Sequence, residues 1–299
     1  DPAFGGSSPP VPVLTLIKNI MKDSVSIIVG RSNPKIGELI CEHLGVQAVK
    51  RHISNFADGE IRLQIGENVR GKDVFIVQSL NPPAENLLEL LLIIDASRRA
   101  SARRITVVVP YFGYARQDRK EKPRVPITAK LIARQIESAG ADRLLTMDLH
   151  AAQLQGFFEI PVDHLNSDAV FESFINTEID DGEELVIVSP DVGGVKRIEQ
   201  ISEHMGASIA IIHKKREDAN MAKALNIIGD VKNKTAILRD DIIDTGGTLA
   251  KASELIKRKG ANKILAFCTH PLFSRDAASL MVNSDIDRMG ITDTIMLPE

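Results

Sequence analysis

The chain has 299 residues, long for one domain and enough for two, and its 37 Lys and Arg against 40 Asp and Glu leave a formal net charge of −3. That balance gives no electrostatic footprint for nucleic acid or an anionic membrane, and with no Trp and only two Tyr there is little aromatic surface for stacking bases. No apolar run reaches the length of a membrane span, and Cys41 and Cys268 lie far apart in apolar contexts, which predicts core thiols in a reducing, cytoplasmic setting.

In chain order, Asp1–Pro12 is rich in Pro, Gly and Ser, and Val13–Ile20 is apolar but too short and poorly flanked for a signal peptide. Residues 1–20 are therefore expected to be a disordered extension or an expression remnant, with Met21 as the natural start. Val25–Val29 reads as a strand, and Ser32, Asn33 and Pro34 open a helix that ends at Leu44 before Gly45. Val46–Ile53 reads as a strand. A loop from Asn55 to Gly59, an alternating strand, and a strand over Asp73–Gln78 follow. Glu85–Ala100 is an apolar helix, and Arg104–Val109 is a strand that runs into the polar loop PYFGYARQDRKEKPRVP. Thr128–Ala139 is a helix stopped by Gly140, and Arg143–Met147 is a strand leading into DLH.

After Val162–Leu165 the alternation resumes. Leu185–Ser189 is a strand ending in PDVGG, Val195–Met205 a helix, and Ser208–His213 a strand ending in KKR. Ala222–Gly229 reads as a hairpin arm, and Lys263–Cys268 as a strand. Strand and helix alternate in each half, which predicts an α/β fold of two similar domains, each a mainly parallel sheet flanked by helices, divided near Leu165 into 21–165 and 166–299.

The most informative stretch is AILRDDIIDTGGT, Ala236–Thr248. An apolar strand ends in Asp240 and Asp241, a turn holds Asp244, Thr245, Gly246, Gly247 and Thr248, and an amphipathic helix runs from about Leu249 to Lys259. Glycines let backbone approach an anion closely, and consecutive N–H groups with a helix N-terminus supply positive dipole ends. The carboxylates are poor phosphate ligands but good acceptors for sugar hydroxyls, so the stretch suits a ribose phosphate. Arg239 interrupts the apolar run and is expected to point away from the strand's buried face.

Five polar clusters fall at the ends of strands: Arg116–Arg124, Asp148–His150, Asp191–Gly194, Lys214–Arg216 and Asp240–Thr248. Each alone has an ordinary reading as a solvated loop, a structural histidine or an acidic helix cap. Together they lie where open α/β sheets bind ligands. The loop cations suit a polyphosphate, and His150 with Asp148 and Asp191 suits Mg²⁺, which takes few protein ligands. Neither a Walker A sequence nor a kinase catalytic loop is present.

DDIIDTGGT resembles the signature of the type I phosphoribosyltransferases. The ordered runs NFADGE, PYFGYARQDRK, MDLHAAQLQGFF, SPDVGG, KKRED and DDIIDTGGT resemble the ribose-phosphate pyrophosphokinase family, whose members carry two such domains. The resemblance implies that ATP and ribose 5-phosphate are the substrates. It implies an adenine-nucleotide site at Phe56, Asp58, Gly59 and Glu60, completed across a subunit interface by Arg116 and Gln117. It further implies ribose 5-phosphate at Asp240, Asp241 and Asp244–Thr248, magnesium at His150 and Asp191, and Lys214 and Arg216 as a catalytic pair on a mobile loop. Homo-oligomers, dimers assembling to a hexamer, with ADP and phosphate as effectors, are implied in the same way.

The chain departs from that pattern at Arg239, where an apolar residue is usual, at Glu121, Lys122, Pro123 and Val125 in the loop after Arg119, and at Lys215 between the catalytic pair. The family normally continues beyond Glu299 with another strand and helix, a segment expected to bear on domain packing, assembly and allosteric control. Two other readings share the glycine corner: a phosphoribosyltransferase consuming the activated sugar, and a catalytically silent regulatory paralogue.

Overall fold

A computed structural model describes residues 24–180, 182–215 and 224–297. The N-terminal extension over 1–20, Met21, the first two residues of the 222–229 arm and Arg216 lie outside the described residues.

The fold is α/β. The first half contains β1 (Val25–Val29), α1 (Pro34–Leu44), β2 (Arg51–Asn55), β3 (Ile61–Ile65), β4 (Asp73–Val77), α2 (Glu85–Arg99), β5 (Arg104–Val109), α3 (Thr128–Ala139), β6 (Arg143–Met147) and β7 (Val162–Leu165). Five strands form one sheet in the order β1-β4-β5-β6-β7, and β2 and β3 form a separate ribbon. The second half contains α4 (Asp168–Glu178), β8 (Leu185–Ser189), α5 (Val195–Met205), β9 (Ser208–Lys215), β10 (Ala224–Ile228), β11 (Thr235–Ile243), α6 (Gly247–Arg258), β12 (Lys263–Pro271), α7 (Ala277–Val282) and β13 (Arg288–Ile291). Its sheet has the order β10-β9-β8-β11-β12-β13, parallel except where β10 runs against β9.

The chain divides into two compact units. One runs to Val109 and takes in Arg119–Leu145 and Gly156–Asp163; the other takes Pro110–Asp118, Thr146–Gln155 and everything from His164. The first part of the loop after β5 and the segment after β6 therefore belong with the second unit.

In the first unit α1 forms as its sequence predicts. The Asn33 side chain accepts from the Ile36 N–H, Pro34 occupies the first turn, and Gly45 ends the helix at φ 66°. Gly37 faces β1 so closely that a Cβ there would lie 2.3 Å from Val29 Cγ1. Gly37→Ala is therefore expected to lower stability by about 1–3 kcal/mol through overpacking, against Ala's intrinsic helix advantage of about 1 kcal/mol. A urea midpoint below wild type is the expected result, and a higher one would contradict the contact.

The strand expected over Val46–Ile53 is divided. Ala48 bridges Ile27 and the Val49 N–H bonds to the Ile27 carbonyl at 2.8 Å, after which the chain leaves the sheet edge and Arg51–Asn55 pairs with β3. Three elements carry weak sequence signals: α4, α7 and β13. The last is a four-residue strand containing Gly290, where a Cβ would meet the Phe174 ring at 2.8 Å.

The second unit packs its sheet between two apolar layers. Ala236, Leu238, Ile264, Ala266 and Cys268 meet α6 through Leu249, Ala252 and Ile256. Ile237, Leu265 and Phe267 meet Phe171 and Ile175 of α4 and Ile198 and Ile201 of α5. Strands buried on both faces read as unbroken apolar runs, which is why β8, β11 and β12 were recognisable. Cys41 and Cys268 are buried free thiols. Among the described residues no helix is long and apolar enough to cross a membrane.

Candidate active site

β11 continues past the acidic pair to Ile243, so Asp240 and Asp241 lie within the strand. Successive strand residues point to opposite faces. Arg239 and Asp241 consequently turn toward the α4 and α5 side, with Ile237. This corrects the expectation for Arg239: its side chain is 1% exposed, because a parallel strand covered by helices on both sides has no solvent face.

Asp241 is the junction of the site. One carboxylate oxygen lies 2.8 Å from His150 Nδ1 and the other 3.1 Å from Arg197 Nη1. Arg197 also reaches the His150 carbonyl at 3.5 Å. Burial pushes the Asp241 carboxyl up, but the His150 hydrogen bond and the Arg197 charge outweigh it and hold the group well below the usual carboxylate range. Asp240 behaves oppositely. Burial first, and then the charge of Asp241, push its carboxyl well above the ordinary value, although one oxygen accepts the Asp241 N–H at 2.9 Å. Two adjacent carboxyls thus differ because only Asp241 is in direct contact with His150 and Arg197.

Beyond the strand the chain turns a corner. Gly246 sits at φ +74°, a conformation side-chain-bearing residues rarely adopt, and a Cβ on it would lie 2.9 Å from Met281 Cε. Gly247 opens α6, and a Cβ there would meet nothing within 4 Å. Thr245 and Thr248 are exposed. The corner therefore has open space beside Gly247 at the start of a 12-residue helix, whose N-terminal N–H groups carry the positive end of the helix dipole. Asp244 flanks it and pairs with Arg116 at 2.8 Å. Hydrogen bonds from Ser274 and Arg116 hold the Asp244 carboxyl below its usual value. Arg116 reaches the corner from the loop after β5, where Tyr111, Phe112 and Ala115 are buried anchors, and the Gln117 N–H closes a turn on the Tyr114 carbonyl at 2.9 Å.

At the end of β8, Asp191 is exposed and holds its own turn: one carboxylate oxygen accepts the Gly194 N–H at 2.9 Å. Gly194 is packed so that a Cβ would lie 2.6 Å from Ser189 Oγ. Lys214 pairs through its backbone with Leu225 of β10; Arg216, its expected partner, lies outside the described residues. In the first unit Phe56, Asp58, Gly59 and Glu60 form the tip of the β2–β3 ribbon. The Phe56 N–H bonds to the Glu60 carbonyl at 2.8 Å, Asp58 accepts from the Glu60 N–H at 3.1 Å, and Gly59 takes φ +98°. The Phe56 ring is 51% exposed, with the Arg62 guanidinium 5.7 Å from its centroid.

Among the described residues no group of three or more His, Cys, Asp and Glu side chains is placed to hold a metal ion. Asp148, read with His150 as part of a metal neighbourhood, is buried, and both its oxygens accept hydrogen bonds, from Ser167 and from Thr269. His150 is different. Its Nδ1 lies against the Asp241 carboxylate, and a neutral ring donating from Nδ1 would present its Nε2 lone pair, the arrangement that carboxylates impose on ligating histidines. This donor set fits an ion that takes one or two protein ligands and keeps water and phosphate oxygens, as Mg²⁺ does.

Sequence reasoning missed Arg197. Its signal was available: it stands three residues after the Gly193–Gly194 turn, on the first turn of α5 at the carboxyl end of β8, the same sheet edge as the other clusters.

Two sheets of mainly parallel strands, with an acidic strand end running into a glycine corner, define an α/β protein of the phosphoribosyltransferase-like class. Residues 25–140 match the family model described as the N-terminal domain of ribose phosphate pyrophosphokinase, and residues 220–298 match the phosphoribosyl synthetase-associated domain. The ribose-phosphate pyrophosphokinase of Caldanaerobacter subterraneus is 51% identical over 279 residues, 93% of this chain and 88% of that protein. That of Chlorobaculum tepidum is 49% identical over 276 residues, 92% of this chain and 85% of that protein. The crystal structure of phosphoribosylpyrophosphate synthetase from Mycobacterium smegmatis superposes with a TM-score of 0.87 at 38% identity, covering 92% of this chain and 91% of that one. The chain belongs to the ribose-phosphate pyrophosphokinase family, a family of enzymes that transfer diphosphate.

Proposed function

We propose that the chain makes 5-phosphoribosyl 1-diphosphate from ribose 5-phosphate and MgATP. The C1 hydroxyl oxygen attacks the β-phosphorus, and the bond from that phosphorus to the α,β-bridging oxygen breaks. AMP departs with the bridging oxygen, and the hydroxyl proton is released. The observation that carries the reading is the corner at the end of β11: backbone N–H groups and the α6 terminus for a phosphate, with carboxylates beside it for vicinal hydroxyls.

Ribose 5-phosphate would set its phosphate against residues 244–248, with Asp240 and Asp241 accepting ring hydroxyls. A carboxylate has about four acceptor positions, so Asp241 can hold His150 and Arg197 and still take a hydroxyl. The adenine nucleotide would stack on exposed Phe56, next to Asp58, Gly59 and Glu60, with Arg116 and Gln117 supplied from a partner subunit. Lys214 and Arg216 would neutralise charge building on the transferred diphosphate, a contribution of about 10²–10³ in rate when the site is preorganised. Magnesium, held by His150 and Asp191 together with substrate phosphates, would offset polyphosphate charge. A homo-oligomer of dimers assembling to a hexamer, regulation by ADP and phosphate, and a cytoplasmic setting for the two free thiols complete the proposal.

Incubation with ribose 5-phosphate, MgATP and inorganic phosphate, followed by ³¹P NMR, tests it. AMP with a C1-diphosphorylated sugar is the expected result. Neither product would favour a silent paralogue, and consumption of the activated sugar with a base would favour a phosphoribosyltransferase.

A further inference from the structure

Arg239 is the largest side chain among those almost wholly buried in the fold. It stands in register with Phe267 of β12, with its guanidinium carbon 4.9 Å from the Phe171 ring centroid. It pairs with Asp168 at 2.5 Å. A buried ion pair of this kind is often no better for stability than apolar residues of similar volume. Its two hydrogen bonds show what the charge is for.

Nη1 donates to the Arg197 carbonyl at 3.2 Å, and Nη2 to Ser167 Oγ at 3.4 Å. Each contact leads to one partner of Asp241. The first fixes the start of α5, whose Arg197 guanidinium grips Asp241. The second fixes Ser167, which donates its hydroxyl proton to Asp148 at 2.5 Å. Asp148 is held at φ +38°, unusual for a residue with a side chain, with its N–H on the Leu165 carbonyl and its carbonyl accepting from buried His270. Two residues on stands His150, whose ring meets Asp241 from the other side. Arg239 and Asp241 share a face of β11, two residues apart.

We propose that Arg239 is a positioning residue for the sugar end of the site. Paired with Asp168, it ties the α5 start and the turn at Asp148 into one unit, so that Arg197 and His150 converge on the Asp241 carboxylate. The consequence for turnover rests on the proposed function; the geometric role does not. A planar guanidinium is needed because three partners in different directions share one charge, which an ammonium on a flexible stem does not hold in register.

The test uses the full chain. Side-chain ¹H–¹⁵N NMR identifies the His150 ring by its loss in His150→Gln, and the Nδ1 proton bound to Asp241 is expected downfield in wild type. Arg239→Ile/Asp168→Ala removes both charges and leaves no orphan carboxylate. Ser167→Ala cuts one arm only, so it serves if the double variant fails to fold. Both are expected to move or broaden the His150 proton. In kinetics the double variant is expected to raise KM for ribose 5-phosphate more than tenfold with KM for ATP unchanged, and Arg239→Lys is expected to resemble it. An unshifted His150 proton in well-folded variants would overturn the positioning role. Wild type that forms no AMP would instead overturn the functional reading, and the NMR comparison would still decide the role of Arg239.

Discussion

Asp241→Asn is expected to reduce kcat/KM for ribose 5-phosphate by ~10²–10³, the size typical of removing one preorganised charge from a site. The substitution keeps the shape but discharges the junction. Arg197 loses its ion pair at 3.1 Å, and His150 loses the acceptor that sets its tautomer. Stability is expected to fall by about 1–3 kcal/mol at neutral pH, the usual loss for a hydrogen bond to a charged group. The sign of the pH dependence follows from the depressed Asp241 carboxyl. Its stabilisation is fully present above the unfolded carboxylate value of about 3.9 and is lost as pH falls through the lower folded value. Denaturant unfolding of wild type and variant should therefore differ by a constant amount from pH 7 to about pH 5 and converge in stronger acid. Equal stability at pH 7 would mean that Asp241 is not charged as described.

The neighbouring residue is expected to behave in the opposite sense. Asp240→Asn should raise the melting temperature at neutral pH while raising KM for ribose 5-phosphate by at least tenfold. The folded-state carboxyl is raised, chiefly by burial and then by Asp241, so the fold carries its full penalty above that raised value; the penalty shrinks as pH falls below it and is gone below the unfolded value of about 3.9. An amide oxygen still accepts the Asp241 N–H, so the strand geometry survives. A gain of about 1–2 kcal/mol is typical of relieving such functional strain, and each kcal/mol moves the melting temperature by ~2–4 °C in domains of this size. The gain should vanish in acid, where both proteins carry a neutral group. A destabilised Asp240→Asn at pH 7 would show that Asp240 is better solvated or better paired than described.

How much of this was legible beforehand depends on where each side chain gets its partners. The helix after Asn33 and Pro34, the parallel strands, and the corner at Gly246 are local matters of cap chemistry, unbroken apolar runs and a left-handed glycine, and all can be read from spacing. The division between units is not local, because the loops after β5 and β6 contribute residues to the second unit. Arg239 was misread for a similar reason. Its partners, Asp168, Ser167 and Arg197, stand 71, 72 and 42 positions away, so nothing nearby announces that its charge is paired inside. Asp148 and His150, two residues apart in DLH, look alike as polar ends of a strand. One is enclosed by hydroxyls and the other meets a carboxylate, a distinction made by β12 and β11. The helix α4 escaped notice because its buried positions, Phe171 and Ile175, form a stripe too narrow to stand out from a polar surround.

The proposed chemistry requires a pentose phosphate to be held by its phosphate in the corner at Gly246 and Gly247. A crystal structure of the chain with ribose 5-phosphate tests this directly. The phosphorus is expected within hydrogen-bonding reach of the backbone N–H groups of residues 245–248, with ring hydroxyls turned toward Asp240 and Asp241. Sugar phosphate bound in another place, with that corner left to solvent, would contradict it.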